Sequence, residues 1–548
     1  MSERLNNSLM SYADVAKAFD WDDVLDELGW KDRCDVNLTS TIVDRHLGTP
    51  VADKVALRWH GPAGARRDIT YRDLSEMASR CANLLAGIGV QKGDRIAALM
   101  PRVPETFAII LGAMKLGAIY VPIFTGFGPD GVGYRLSHSG ARVVFTHASY
   151  RDNIPPGHDI QVVCLNEGRG RDGDIDLASA LSEAKPSFTA VPCDRSDVAA
   201  IIYTSGSTGQ AKGCVIACNL LAAVWPYIRY GVDLDPASDL FWPTGDPGWG
   251  YGLCCYLPAF AMGATVVCVM ANLTPADCVA FLAHEGITNL ATTPTLLRGL
   301  MSLGEGAVKV SGVRVRAISS CGEPLNGEVV DFFRRGWQVT PMDHYGATEF
   351  ALPIGNYNGA AMAVKPGSMG LPCPGYRMAI VDEAGAELSS GTVGLIAQRN
   401  GPGSIYWLRY WNDAAATESL RHGDWICTGD LGRRDQQGYF WFEGRVDDMI
   451  KSAGYRIGPF EVESAMLRHP DVNEVAVVGK KDPMRGQIVK AFVVLRPGVE
   501  PGPVQADELA QFVKTTLGKH QYPREVEFVT ELPKTETGKI QRFRLRAT

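Results

Sequence analysis

The run RIAALM (95–100), followed by ETFAIILGAMKLG (105–117) and AIYVPIF (118–124), decides the fold class. Two short apolar stretches rich in β-formers flank one helix-length segment. Fully apolar strands separated by helices imply parallel sheets covered on both faces. The alternation recurs from about residue 70 to 350, in ARVVFTH (141–147), VAAIIYTSG (198–206), ATVVCVM (264–270), VRAISSC (315–321) and the amphipathic NGEVVDFFRRG (326–336). From 365 to 445 the helical signal fades, and Gly-rich turns join the short strands YRMAIVD (376–382), VGLIAQR (393–399) and GYFWFEG (438–444). Beyond Arg445 the texture changes again. Pro459 opens a helix, PFEVESAMLRH (459–469), VNEVAVVG (472–479) and IVKAFVVLR (488–496) read as strands, and DELAQFVKTTL (507–517) reads as a helix. The expected architecture is α/β: an N-terminal domain over 1–446 with parallel βα-layered sheets and a β subdomain at about 365–445, then a small α+β C-terminal domain over 447–548.

The 548 residues are 46% hydrophobic and 21% charged, ordinary globular usage that excludes disorder, collagen and coiled coil. Lys and Arg number 54 against 61 Asp and Glu, a formal charge of −7. That balance disfavours a nonspecific nucleic-acid or anionic-membrane binder, and leaves room for a local basic pocket holding a phosphorylated ligand. The 13 cysteines are scattered, and the close pairs Cys214/Cys218 and Cys254/Cys255 fit no zinc-knuckle spacing. Reduced thiols in a cytoplasmic protein are the expectation. No apolar stretch follows a basic start, so no secretory signal is read. Residues 247–276 carry no charge and are long enough to span a bilayer. Pro258 and a cluster of glycines divide them into a short helix and the strand TVVCVM (265–270), so a buried core rather than a membrane span is expected.

The strongest chemical signal is YTSGSTGQAKG (203–213), in which Thr204, Ser205, Gly206, Ser207, Thr208 and Gly209 are consecutive. Glycines let the backbone approach a phosphate, N–H groups and hydroxyls donate to its oxygens, and Lys212 adds charge. The segment is not a GxxxxGK[ST] P-loop, because Gly213 follows the lysine. Gly/Ser composition also suits a flexible linker, but a linker rarely follows a buried strand and ends in a lysine. Further along stand SCGEP (320–324), HYGATE (344–349), TGD (428–430), GRVDD (444–448) and PKTETGKI (533–540).

In this order the six motifs resemble those of the adenylate-forming enzymes: acyl-CoA synthetases, nonribosomal adenylation domains and firefly luciferase. The likeness covers about residue 200 to the end, and the first 200 residues fit by length and βα pattern. It implies an ATP-dependent carboxylic acid–CoA ligase, an acid–thiol ligase, that passes through an acyl-adenylate and releases AMP and pyrophosphate. Substrates and cofactors would be ATP, Mg²⁺ and CoA. By resemblance, residues 204–209 and Lys212 bind phosphates, and Gly322, Glu323 and Pro324 form the adenine turn. Asp343, His344, Tyr345, Gly346, Ala347 and Thr348 also face the nucleotide, with Tyr345 stacked on adenine. Asp430 would meet the ribose diol, Arg445 the ribose and Arg456 the phosphate region. Glu349 with Thr204 is a hard-oxygen pair suited to Mg²⁺. Asp447 would be the hinge of a mobile C-terminal domain. Lys539 would bridge carboxylate and α-phosphate in the transition state; erasing its charge, as a lysine acetyltransferase would, blocks that role. Ala453, Gly454, Tyr455 and Lys514 are the implied CoA contacts.

Within the family the chain most resembles short- and medium-chain fatty acyl-CoA synthetases. Acetate-specific members carry Trp where this chain has Gly346, and a larger apolar residue at Gly250. An acyl slot lined by Trp249, Gly250, Tyr251, Cys321 and Gly346 therefore implies a short- to medium-chain or small branched or aromatic acid, each buried CH₂ being worth about 0.8 kcal/mol. Tyr251 is large enough to refill that slot. A stand-alone adenylation enzyme acting on a carrier protein or amine is the alternative: relatives that activate amino acids use a Phe-Asp pair where this chain has Phe241-Trp242-Pro243, and Asp246 keeps that alternative open. A nucleotide-binding regulator with a decayed site conflicts with the presence of Lys212, Glu349, Asp430, Arg445 and Lys539. No nucleic-acid partner is expected, monomer and homodimer stand open, and Phe350 has no role at this stage.

Overall fold

The computed structural model describes residues 10–156, 160–166, 171–204, 211–309, 312–399, 409–452, 455–534 and 540–546, apart from the side chain of Arg456. Four sheets organise them. A seven-stranded sheet runs Ile175–Asp176, Gln161–Leu165, Val143–His147, Arg95–Leu99, Ile119–Pro122, Val198–Thr204, Lys212–Ala217. Its neighbours are parallel except the last pair, where Thr204 faces Lys212 across a hairpin. A nine-stranded sheet has Leu240–Pro243, Asn289–Thr292, Ala317–Cys321 and Pro341–Ala347 in parallel, and Ala351–Gly355 turns back antiparallel beside the last.

Between these sheets lie two helices that are apolar all round, as buried helices must be. In Pro104–Leu116 every residue but Glu105 is buried. Proline at the first turn costs nothing there, and Gly117 ends the helix at φ +74°. All 12 residues of Gly250–Ala261 are buried. Phe107 of the first helix meets Tyr256 at 5.0 Å and Phe260 at 5.9 Å between ring centroids.

The uncharged stretch expected to fold as helix and strand does so, as Gly250–Ala261 and Thr265–Val269. Pro258 sits inside the helix and does not break it; the chain turns at Gly263, φ +83°. Among the described residues no helix is long and apolar enough to cross a membrane.

A five-stranded antiparallel sheet, including Met378–Val381, Gly394–Arg399, Trp425–Arg434 and Phe440–Arg445, occupies the stretch read as a β subdomain. The fourth sheet pairs Val472–Asp482 with Gly486–Leu495 and carries the helices Pro459–Met466 and Pro503–Thr516. It has its own core, with Val462, Ala465, Val477, Ala491, Leu509 and Val513 fully buried.

Phe107→Ala removes the ring that joins both central helices and leaves a cavity between packed layers. It should cost about 3–5 kcal/mol in the denaturation of the large α/β part. A loss below about 1 kcal/mol would show that the layers do not depend on that contact.

Candidate active site

Two hairpins, one from each large sheet, meet at the carboxyl ends of the parallel strands, where open α/β sheets bind ligands. The first joins Val198–Thr204 to Lys212–Ala217, with Thr204 and Lys212 at its two stems. Ser205, Gly206, Ser207, Thr208 and Gly209 lie outside the described residues. The second joins Pro341–Ala347 to Ala351–Gly355 through a tight turn, Phe350 N–H donating to the Ala347 carbonyl at 2.9 Å. Thr348 and Glu349 sit in that turn, and Ala351 leaves it at φ +60°, a sparsely populated region for a residue with a side chain. The Cys214 thiol points at the Thr348 carbonyl, 3.6 Å away.

Tyr410 ties the hairpins together, and no motif predicts it. Its hydroxyl donates to Glu349 Oε1 at 2.9 Å, and Lys212 Nζ stands 5.2 Å from its ring centroid. Residues 409–411 reach this place by pairing with the 212–217 strand: Val215 N–H donates to the Arg409 carbonyl and Trp411 N–H to that of Gly213. Burial, then Glu349, holds the Tyr410 phenol protonated. Among the described residues no three His, Cys, Asp or Glu converge on one point. A single carboxylate, Glu349, beside a threonine hydroxyl fits an ion shared with nucleotide phosphates and water, as Mg²⁺ prefers.

Asp430 is the second focus. It is 8% exposed; its Oδ2 accepts from Tyr345 Oη at 2.7 Å, and its Oδ1 from Arg445 Nη1 at 2.9 Å. Asp430 and Arg445 are register partners on adjacent strands, so the ladder itself pairs them. Burial, then Asp430, keeps the Tyr345 hydroxyl protonated and donating. The turn after Ala317–Cys321 needs glycine: Gly322 has φ +102°, and a Cβ there would lie 3.2 Å from the Trp249 ring. Glu323 is engaged by Arg298 and by Thr295 Oγ1, which fixes the turn's outer side. Asp343 is fully enclosed, and burial pushes its carboxyl well above the ordinary range. Its Oδ1 has no partner among the described residues.

His344 shares a register position with Cys321. The ring packs edge-on against Tyr227 at 4.9 Å, in a niche that exists because Gly231 and Gly355 lack side chains. Both ring nitrogens lack partners among the described residues, and burial lowers the imidazole to about 4. Tyr251, 7% exposed, turns back into the core, with its hydroxyl 3.0 Å from that of Tyr227 and its ring 5.6 Å from Trp249. A Cβ on Gly250 would meet Thr348 Oγ1 at 3.6 Å and Ile202 Cδ1 at 3.7 Å, ordinary contact.

Gly346 has a second reason to be glycine. A Cβ there would lie 2.1 Å from the Ala351 carbonyl oxygen, so the hairpin's close approach by itself already requires glycine at this position. Asp246 is held by two protein donors: Arg102 Nε donates to it at 3.1 Å and Gly248 N–H at 2.7 Å. Phe350, unexplained in the sequence, is fully buried in the main core.

Toward the C-terminus, Asp447 lies two residues after Arg445 and 3.8 Å from its guanidinium, just before the first strand of the fourth sheet. Tyr455 is 55% exposed and stacks on His520 at 4.7 Å, while Lys514 and Arg524 both lie over Tyr522, at 5.3 and 4.9 Å. Ala453, Gly454 and Lys539, and the side chain of Arg456, are outside the described residues.

Two family models match the chain: an AMP-binding enzyme over residues 44–406 and an AMP-binding enzyme C-terminal domain over 461–539. An acetyl-coenzyme A synthetase of Bacillus subtilis is 37% identical over 99% of this chain and 96% of its own length. A mitochondrial acyl-coenzyme A synthetase of Mus musculus is 34% identical over 93% of this chain and 90% of its own. Among solved structures, an acyl-CoA synthetase of Brucella canis superposes with a TM-score of 0.79 at 38% identity, covering 98% of this chain and 99% of that one. A benzoate CoA ligase of Burkholderia xenovorans gives 0.83 at 30% identity, covering 93% of this chain and 100% of that one. The chain belongs to the AMP-binding enzyme family.

His344 yields a pH prediction. Its folded value of about 4 lies below the unfolded 6.5, so on acidification the unfolded chain takes up the proton first. Stability from the neutral ring is complete above pH 6.5 and drains away between 6.5 and about 4, at most roughly 1.4 kcal/mol per unit. Urea midpoints between pH 7 and 5 should therefore fall less steeply in His344→Gln than in wild type. Parallel slopes would remove His344 as a source of acid sensitivity.

Proposed function

We propose that this AMP-binding enzyme activates a small carboxylic acid at the meeting point of its two hairpins and passes the acyl group to CoA. The chain is an AMP-forming acid–thiol ligase: carboxylate, ATP and CoA give acyl-CoA, AMP and pyrophosphate through an acyl-adenylate. ATP, Mg²⁺ and CoA are the cofactors and co-substrates. The observation that carries the site assignment is the convergence of Lys212, Tyr410 and Glu349 on one hairpin junction, beside Thr348.

In this reading the loop 204–209 and Lys212 hold the triphosphate, and Tyr345 supplies a ring for adenine. Asp343 has one oxygen, Oδ1, without a partner among the described residues, and that atom is assigned to the base edge. Asp430 and Arg445 take the ribose; a carboxylate has lone pairs to spare beyond the two protein donors it already accepts. Glu349 and the Thr204 hydroxyl would hold Mg²⁺, which neutralises charge on the phosphates. Lys539 bridges the acid's carboxylate and the α-phosphate, lowering repulsion between two anions, and acetylating it would remove that bridge. The domain boundary lies at 446/447 with Asp447 as hinge, which the position of Asp447 between the end of the Phe440–Arg445 strand and the start of Ile450–Ser452 in the fourth sheet supports. CoA follows the backbone at Ala453 and Gly454, with Tyr455 and Lys514 near its nucleotide end; the exposed Tyr455 ring and the basic side chains over Tyr522 support that choice.

The acid lies beside Thr348, in the space a side chain at Gly250 would take, with Trp249, Tyr251 and Cys321 around it. A short- to medium-chain or small branched or aromatic acid suits this space. Asp246 is already charge-paired with Arg102, which disfavours a second cation such as an amino acid's ammonium.

Two measurements test the reading. Lys539→Ala should slow acyl-adenylate formation on the order of a thousandfold and spare thioester formation from synthetic acyl-AMP and CoA; adenylation within tenfold of wild type would remove the lysine from the site. Gly250→Leu should cost butyrate, hexanoate and benzoate roughly tenfold to a hundredfold in kcat/KM, and acetate little. A wild type that prefers acetate, or a variant that slows every acid equally, would contradict the assignment of the acyl space.

A further inference from the structure

The helix Pro129–Ser139 belongs to no motif, yet one face of it grips both stems of the loop between Thr204 and Lys212. Its residues 134, 135 and 138 fall on neighbouring helical positions and so act together. Tyr134 Oη donates to the carbonyl of Ala211, at the loop's exit, at 2.8 Å. His138 Nδ1 is 2.9 Å from the hydroxyl of Tyr203, at its entry. Tyr134 and His138 also stack on each other, with centroids 5.4 Å apart and planes within 27°, so the two contacts brace one another.

Arg135 completes the face. It is 7% exposed, and its guanidinium lies 3.7 Å from the Phe127 centroid and 5.5 Å from that of Tyr203. Its one protein acceptor among the described residues is the Gly131 carbonyl, at 2.8 Å, and no carboxylate pairs with it. A buried cation without a counter-ion is costly unless something else holds it. Here two aromatic faces do, and the charge stands beside the residue that leads into the loop.

We propose that the Tyr134–Arg135–His138 face is a clamp that sets the geometry of the phosphate loop, its three side chains being positioning residues for ATP. The inference rests on the reading of residues 204–212 as that loop. The clamp acts on the two stems, Tyr203 and Ala211, and a misplacement of about 1 Å in a group that positions a substrate is enough to cost a hundredfold. Since Arg135 has no carboxylate partner among the described residues, its positive field is directed at the place where a polyanion would bind.

The test separates ATP use from the rest of the reaction. In Tyr134→Phe/His138→Ala the KM for MgATP should rise at least tenfold, with kcat for acid-dependent pyrophosphate exchange within threefold of wild type. Thioester formation from synthetic acyl-AMP and CoA, which needs no triphosphate, should be unchanged. Tyr134→Phe alone, which removes one oxygen, should raise KM for MgATP about threefold, and it serves if the double variant does not fold. Equal losses in both half-reactions would mean a merely structural face and overturn the clamp. So would an unchanged KM for MgATP in both variants while Lys212→Ala raises it, a result that leaves the phosphate-loop reading standing. Lys212→Ala without effect on ATP would remove that reading and the clamp with it.

Discussion

The Asp430 carboxylate, held between the Tyr345 hydroxyl and the Arg445 guanidinium, is the contact on which the arrangement of this protein depends. Tyr345 lies on the nine-stranded sheet, while Asp430 and Arg445 lie on neighbouring strands of the antiparallel sheet. The next residues, Val446 and Asp447, lead into the fourth sheet, and Val446 N–H donates to the Gly429 carbonyl at 2.9 Å. One carboxylate therefore joins the wall of the nucleotide site to the root of the C-terminal part. Charge-assisted hydrogen bonds from two sides make that joint stronger than its few atoms suggest. It also keeps the Tyr345 ring in one orientation, which a stacking surface requires.

The site's electrostatics follow from the same economy. Lys212 and Arg445 are half-buried at strand ends, Glu349 is half-buried in a turn and Asp430 is buried within a strand, where a polyanion and a metal ion would meet them. Behind them burial works against charge: it lowers the His344 imidazole to about 4 and raises the Asp343 carboxyl well above its ordinary range. A layer of uncharged polar groups behind a charged mouth avoids the cost of burying unpaired charge and leaves hydrogen-bonding atoms for a base or an acyl group.

Much of this was legible in the residues, for a physical reason. Alternating apolar strands and helices announced the parallel sheets, and RIAALM and AIYVPIF do lie side by side as Arg95–Leu99 and Ile119–Pro122. The motif residues could be read because each cluster is contiguous in the chain. What stayed hidden acts across long sequence distances. Tyr410 reaches Glu349 only because residues 409–411 add to the 212–217 strand, and Arg102 meets Asp246 from another sheet. Nothing local in sequence marks either. Composition misled at Pro258, which continues a helix whose environment tolerates it, and the backbone contact of Gly346 with Ala351 had no local signal either. Phe350, beside a charged motif, serves the core.

The central claim is that Asp430 reads the ribose of a bound adenylate while holding Tyr345 and Arg445 in place. Calorimetric titration of AMP and of its 2′,3′-dideoxy counterpart into wild type and Asp430→Ala tests it most directly. The account predicts that wild type prefers AMP by at least about tenfold, the worth of a charge-assisted hydrogen bond, and that Asp430→Ala loses that preference. The same preference for the ribose hydroxyls in both proteins would contradict it.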